Sequence, residues 1–418
     1  MPMNTDDRLR TYGELAVKVA LNVQPGQRVL VIGPLMSGGV SLEAAPLVRH
    51  IAASAYRAGA TLVEAIWGDD DLQLTRFGCA RRDTFSEFSA WLPNALAEHV
   101  RAGGAIISIY ANDPDLLHRE PPELVGALQA ATSHSVKAFR EEISRNATNW
   151  AVIATAGAAW ATRVFADMPP ADALVRLSDT IARLCRLDRA DPVAAWRAHI
   201  AALAARSDDL NRRRYWALRF SGPGTDLTVG LPAGHTWVSG ASTSRTGIQF
   251  VANLPTEEVF TIADRRRVAG IVRATKPLSY AGTLIEDFSL RFEDGRVVDL
   301  SAARGESVLR QLVETDAAAG RLGEVALVPH SSPIAQAGLL FYSTLLDENA
   351  ASHVALGSAY KFTLTGADVM DDEEFERAGG NRSAIHVDFM IGSGEVDVDG
   401  VRRDGTAEPL MRRGEWAL

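Results

Sequence analysis

The chain is 418 residues long, 47% apolar and 23% charged, with a formal net charge of −9. That length predicts roughly two to three domains with a large core, and the composition is ordinary for a globular protein. Acidic overall and without a basic block, the sequence excludes nucleic acid as a partner, because backbone binding needs clustered Lys and Arg.

Residues 1–8 are polar and do not read as a signal peptide. No apolar run reaches the ~18 residues that a membrane span requires. Cys79 and Cys185 lie far apart and give neither a disulfide framework nor a zinc-ligand spacing. The expectation is a cytoplasmic protein with no membrane partner.

Over residues 8–23, Leu9, Tyr12, Leu15, Ala16, Val19 and Ala20 fall on one helical stripe, which Pro25-Gly26 ends. Residues 28–32 read as a buried strand followed by a Gly-rich turn. A helix over 43–58, closed by Gly59, leads to a second strand at 61–66. Strand, helix and strand in that order predict a parallel crossover unit and an α/β domain. The turn that starts at Gly33 matches no phosphate-loop spacing and reads as a plain connection. Asp69, Asp70 and Asp71 lack the spacing of a cation loop and read as a solvated loop. Strands follow at 105–110 and 150–154, with helical stretches ending near Gly103 and covering 124–145 and 171–205.

At 207–214 the chain becomes charged, then strand-rich and Gly-rich, and a boundary is expected here. Residues 1–210 are predicted to form the α/β N-terminal domain and 211–418 an α+β domain. Strands are expected in that second domain at 215–220, 225–229, 249–252 and 324–328, with a helix over 306–319. A hairpin is predicted where Asp294-Gly295 joins 289–292 to 297–300.

Ligand-type residues collect in the second half. Glu257 and Glu258 sit in the run 253–261, Asn-Leu-Pro-Thr-Glu-Glu-Val-Phe-Thr, which otherwise reads as a strand. Successive strand residues face opposite sides, so one carboxylate must point inward unless this is a solvated edge. Glu324 opens a strand after Gly323, Glu348 and His353 are separated by Asn-Ala-Ala-Ser, and Tyr360 follows. His386 and Asp388, two apart on a strand, share a face and suit a divalent ion. Singly, each has a structural explanation: Glu348 as a solvated side chain, Tyr360 as packing, a strand histidine as a hydrogen-bonded core residue. The other seven histidines have no companion pattern and are taken as structural.

Together these strings carry a resemblance. The run 253–261, Gly-Glu-Val-Ala-Leu-Val-Pro at 323–329, Glu-Asn-Ala-Ala-Ser-His-Val-Ala-Leu-Gly-Ser-Ala-Tyr at 348–360 and Ile-His-Val-Asp-Phe-Met-Ile-Gly-Ser at 385–393 resemble the M29 metallo-aminopeptidase family, the aminopeptidase T and aminopeptidase S group. The segments 15–27 and 43–48 are similar to it as well, so nearly the whole chain is covered, although 33–42 and 159–170 fit less well. The resemblance implies a dinuclear metal site on the C-terminal domain, with two divalent ions (Zn, Co or Mn) held by Glu258, Glu324, Glu348, His353, His386 and Asp388. Glu258 rather than Glu257 is chosen by its distance to the next motif, and the choice between them stays open. Tyr360 would stand beside the metals as a hydrogen-bond donor, and Glu257 would shuttle protons or hold the substrate amine. The implied activity is removal of N-terminal residues from peptides with a free N-terminus, by a water bridged between the two ions, in a homodimer. A different class remains in play: proteins similar to this family include mononuclear iron dioxygenases, and His353, His386 and Asp388 could supply their two-His, one-carboxylate set. Glu258, Glu324 and Glu348 speak for the hydrolase, since an iron centre needs open positions in place of further carboxylates. A non-catalytic relic would have lost a ligand, and none is missing.

Overall fold

Val29, Leu30, Val31 and Ile32 are all buried, and this unbroken apolar run places the strand Arg28–Ile32 inside a sheet covered on both faces. In the computed structural model, which describes residues 5–280 and 283–417, that sheet has five parallel strands. Their order is Asn253–Leu254, Trp150–Ala154, Ala105–Tyr110, Arg28–Ile32 and Leu62–Ala65. Parallel neighbours need long crossovers, and helices such as Ala45–Arg57 and Trp91–Arg101 supply them. Leu92, Leu96 and Val100 of the second helix pack on Leu30, Ile32 and Ile106. Gly59 takes φ +96° just past the first, a backbone state that only glycine adopts without strain.

Local departures from expectation have local causes. The first helix is α-helical over Thr5–Leu15 and then widens into a π-helix over Ala16–Leu21, stopped by Asn22 at φ +50°; Met1–Asn4 of the polar leader lie outside the described residues. The acidic triplet is not a solvated loop. Asp69 accepts a hydrogen bond from the Leu72 amide and caps the helix Asp70–Cys79, whose first turn Asp70 and Asp71 occupy, where carboxylates complement the dipole. The long helix expected over 171–205 is two, Pro170–Leu184 and Pro192–Arg213. Among the described residues no helix is long and apolar enough to cross a membrane.

The chain divides into two compact units, but not at a single boundary near 210. The first runs to His199 and takes back Ala241–Pro255; the second comprises Ile200–Gly240 and Thr256–Leu418. The charged run at 208–214 marks a helix end instead, where Arg212 and Arg213 suit the negative pole of Pro192–Arg213. Residues 241–255, expected in the second domain, return to the first because Asn253 and Leu254 pair with Val152 and Ile153. Pro255 lacks an N–H and cannot extend that pairing, so the strand expected over 253–261 is broken. Asn253–Leu254 belongs to the parallel sheet, Val259–Ile262 to a different one, and Glu257 and Glu258 lie between them.

Among the described residues of the second unit every strand pair is antiparallel. An eight-stranded sheet contains the predicted hairpin, Ser289–Glu293 with Arg296–Ser301; Asp294 and Gly295 both take positive φ at its turn. The helix after it is shorter than expected, Glu306–Val313. A five-stranded sheet runs in the order His386–Met390, His353–Gly357, Leu322–Leu327, Val259–Ile262, Val238–Ser239. Leu218, Phe220, Leu227, Val229, Leu290 and Phe292 from the first sheet form one core with Val259, Val325, Leu327, Val354, Leu356 and Phe389 from the second. Each such side chain contributes roughly 1.5–3 kcal/mol on burial. One face of the five-stranded sheet is thereby committed to the core. The other carries the polar residues.

Candidate metal centre

Register decides which side chains meet on that second face. Phe260 lies opposite Ala326, Ala326 opposite His353, and His353 opposite Met390. In the next row Ile262 opposes Glu324, Glu324 opposes Ala355, and Ala355 opposes Asp388; His386 opposes Gly357. Directly opposed residues share a face, and so do residues two apart on one strand. Glu324, His353, His386 and Asp388 therefore converge from three neighbouring strands. Glu258, two residues before Phe260, enters the same cluster from the segment leading into Val259–Ile262. Between the ligand-type residues the face carries Ala326, Ala355 and Gly357. Gly357 has φ +100°, and a Cβ there would come within 2.2 Å of the Ile385 carbonyl oxygen.

Two groups of potential ligand atoms result. Glu258, Glu324 and His353 form one, and Glu324, His386 and Asp388 the other, with all atoms in each group within 4.8 Å of one another. Glu324 belongs to both. His353 Nε2 lies 3.2 Å from Glu258 Oε2 and 3.8 Å from Glu324 Oε1. His386 Nε2 lies 3.7 Å from Glu324 Oε2 and 3.5 Å from Asp388 Oδ1.

The imidazoles are held from behind. His353 Nδ1 donates to the Ala351 carbonyl at 3.0 Å, and His386 Nδ1 donates to the Ser358 carbonyl at 2.7 Å. Pinning Nδ1–H to a carbonyl fixes the tautomer in which Nε2 presents a lone pair, the usual arrangement behind a metal-ligating histidine. Both Nε2 atoms face carboxylates.

Negative charge is in surplus. Burial raises the Glu324 carboxyl to about 6, against the pull of His353 and His386, and Asp388 and Glu258 push the same way. Glu348 is driven well above the usual carboxylate range by burial and then by Glu258 and Asp388. Burial alone would lower His386, yet Asp388 and Glu324 carry it to about 10. His353 is likewise raised well above its ordinary value, against burial, by Glu258 and Glu324. Asp388 is the exception: burial would raise it, but its contact with His386 holds it low. The common cause is buried carboxylates with too little positive charge beside them. Divalent cations would supply that charge, and the donor set of carboxylates and imidazoles suits them. Glu258 Oε2 and Asp388 Oδ1 are buried acceptors without a hydrogen bond, as atoms reserved for an ion would be.

The remaining predicted residues fall close by. Glu348 opens the turn Glu348–Ala350 after the helix Thr344–Asp347; it lies outside both ligand groups but within electrostatic reach of Glu258 and Asp388. Glu257 is buried, and its amide donates to Asn349 Oδ1 at 2.7 Å. The Tyr360 ring lies 4.8 Å from that of His386, and its hydroxyl is pushed well above 10 by burial and then by Glu324 and Asp388. It stays a donor at any physiological pH.

Two features escape the sequence. Asn349 is fully buried and donates through Nδ2 to the Leu345 carbonyl while accepting from Glu257, joining the segments that carry Glu258 and Glu348. Nothing in its sequence context marks it. Phe260 and Phe362 stand with Tyr360 beside the cluster, and an isolated Phe carries no functional signal. Of the histidines taken as structural, His99 and His235 each bond a main-chain carbonyl, of Ala105 and Pro232.

Comparison with known proteins identifies the family. The thermophilic metalloprotease (M29) family matches residues 5–416. Aminopeptidase T of Thermus thermophilus is 46% identical over 410 residues, covering 98% of each chain. Aminopeptidase 2 of Geobacillus stearothermophilus is 44% identical, over 99% of this chain and 98% of its own. A solved structure described as wild-type AmpT from Thermus thermophilus superposes with a TM-score of 0.92 at 45% identity, covering 98% of this chain and 99% of that one. The dioxygenase alternative finds no support here, and the geometry disfavours it: His353 groups with Glu258 and Glu324, while His386 and Asp388 group separately with Glu324. The chain belongs to the thermophilic metalloprotease (M29) family and is a metal-dependent aminopeptidase, a hydrolase that acts on peptides from the N-terminus.

Proposed function

We propose that the enzyme works with two divalent cations, one held by Glu258, Glu324 and His353 and the other by Glu324, His386 and Asp388, with Glu348 completing the set. The observation that carries this reading is the position of Glu324, whose two carboxylate oxygens turn towards different histidines. A carboxylate shared between two ligand groups suits a site that holds two ions close together. Zinc, cobalt and manganese all suit four carboxylates with two imidazoles.

When bound, such a pair lowers the pKa of a coordinated water towards ~7 and polarises the scissile carbonyl. The chain's own groups do the rest. Tyr360 donates its Oη–H to the carbonyl oxygen as negative charge grows there, a contribution often worth ~3 kcal/mol. Glu257 is the carboxylate left for proton transfer to the leaving amine or for holding the substrate ammonium. Glu258, the member of the pair that stands by His353, is assigned to the ions. His353 and His386 commit Nδ1–H to main-chain carbonyls and so turn Nε2 towards the carboxylates, where it would serve as the ligand atom once an ion takes the place of the proton.

A homodimer is the assembly the family resemblance implies, and sedimentation at working concentration tests it. Both cysteines are free thiols, which fits a reducing compartment such as the cytoplasm. The reaction itself is tested with aminoacyl-p-nitroanilides: release of nitroaniline that stops on chelation and returns with added ions supports the reading. Activity that survives full removal of metal would reject it.

A further inference from the structure

The two histidines are oriented from opposite ends of one strand. His353 opens the strand His353–Gly357 and bonds the Ala351 carbonyl before it, whereas the partner of His386 is the Ser358 carbonyl, just past the far end. The run from His353 to Gly357 spans about 13 Å at the usual strand rise. A group that fixes the far end therefore bears on His386 more directly than on His353. Asn381 is such a group. It is fully buried, and its Nδ2 donates to the Gly357 carbonyl at 2.6 Å and to the Ala318 carbonyl at 2.9 Å, with the Arg321 carbonyl at 3.4 Å. Its main-chain carbonyl accepts from the Ala359 amide at 2.8 Å.

Ser358 is thus held from both sides, through the carbonyl of the residue before it and the amide of the residue after. Its own amide donates to the Ile385 carbonyl at 2.7 Å, and its carbonyl accepts from His386 Nδ1 at 2.7 Å. Gly357 takes φ +100° where a Cβ would meet the Ile385 carbonyl oxygen, so the main chain at this corner lies close against the strand of His386. Asn381 commits both amide protons to carbonyls, while its Oδ1 is a buried acceptor with no partner. The side chain serves here through its donors. We propose that Asn381 is a positioning residue for one ion of the pair: it fixes the Ser358 carbonyl, which aims His386 Nε2 into the ligand group of Glu324, His386 and Asp388. The proposal rests on the two-ion reading of these ligands. Groups that orient a ligating histidine are commonly worth roughly 10–100-fold in metal affinity, and here that factor falls on one ion of the two.

The test uses the full-length enzyme loaded with cobalt, as wild type, Asn381→Ala and Asn381→Ser. Both variants keep the main-chain bond to Ala359 and alter only the side-chain donors. Bound metal is counted along a series of chelator concentrations. Wild type is expected to hold two ions; in Asn381→Ala one of them is expected to bind roughly 10–100-fold more weakly, and the other to change less than about threefold. Proton NMR of the cobalt enzyme identifies the ion, because each Nδ1–H gives an exchangeable, paramagnetically shifted signal. The signal that Asn381→Ala moves should be the one that also moves in Tyr360→Phe, since the Tyr360 ring lies 4.8 Å from that of His386. Turnover is expected to fall with the weakened ion and to return in part at higher cobalt concentration. Asn381→Ser, which keeps a hydroxyl donor, should weaken the same ion less and serves if the alanine variant does not fold. Equal weakening of both ions, weakening of neither, or movement of the His353 signal alone overturns the assignment. A wild type that saturates at one ion would instead overturn the two-ion reading.

Discussion

Glu324 turns Oε1 towards His353 Nε2 at 3.8 Å, and its other oxygen, Oε2, lies 3.7 Å from His386 Nε2. One side chain thus belongs to both ligand groups, and its removal should be felt by both. Glu324→Ala is expected to lower bound metal below one ion per chain and to cut kcat/KM by ~10³-fold or more, a loss on the scale of removing a main catalytic element. Metal analysis of the purified variant decides; retention of two ions would remove Glu324 from the shared position. His386→Ala should lose metal and activity in the same assay, while His235→Ala, which breaks only a bond to the Pro232 carbonyl, should keep both.

Tyr360 offers a cleaner separation of binding from chemistry. Tyr360→Phe keeps the ring against His386 and Phe362 and removes only the donor. A drop in kcat of about 100-fold with KM and metal content nearly unchanged is expected, as for loss of one oxyanion donor. A rise in KM at constant kcat would show that the hydroxyl binds substrate and does not stabilise the transition state.

Asn349 supports the site from beneath. Asn349→Ala leaves the buried Glu257 amide without its acceptor, which costs about 1–3 kcal/mol. It also frees the segment carrying Glu258, so metal affinity should weaken by roughly 10–100-fold, as for other groups that orient ligands. Competition with a chelator of known affinity measures the second effect. An unchanged affinity in a destabilised variant would make Asn349 purely structural.

Much of this was legible in the sequence, for stated reasons. His386 and Asp388 were readable as a same-face pair because strand period is two, and the Asp294-Gly295 hairpin because few dipeptides take two positive φ angles. The strands at 28–32, 105–110 and 150–154 announced themselves as apolar runs. Pairing between distant strands was not readable: only register brings Glu324 opposite Ala355 and Ala355 opposite Asp388. Nor is the return of 241–255 to the first unit: Gln249–Val251 pairs locally with Ala241–Thr243, and the tie to the first unit is the long-range pairing of Asn253 and Leu254 with Val152 and Ile153. Asp69–Asp71 reads as a solvated loop in the sequence because a helix N-cap and an acidic loop have the same composition.

Acid stability should carry the signature of His99. Its imidazole is buried and bonded to the Ala105 carbonyl, and burial lowers its pKa below the ordinary 6.5. The unfolded chain therefore binds this proton more readily than the folded one. The sign follows: the neutral buried ring's contribution is complete above about pH 6.5 and declines as pH falls below it. His99→Gln, which does not titrate, should melt below wild type at about pH 7.5, and its deficit should shrink by about pH 5.5. A deficit that stays constant or widens on acidification contradicts this.

The two-ion assignment is tested most directly by counting metal against activity. Metal-free enzyme is titrated with zinc, cobalt or manganese while bound ions and leucyl-p-nitroanilide turnover are followed together. The account predicts saturation at two ions per chain, with activity tracking the ions held by the groups that share Glu324. Full activity at one ion per chain would contradict it.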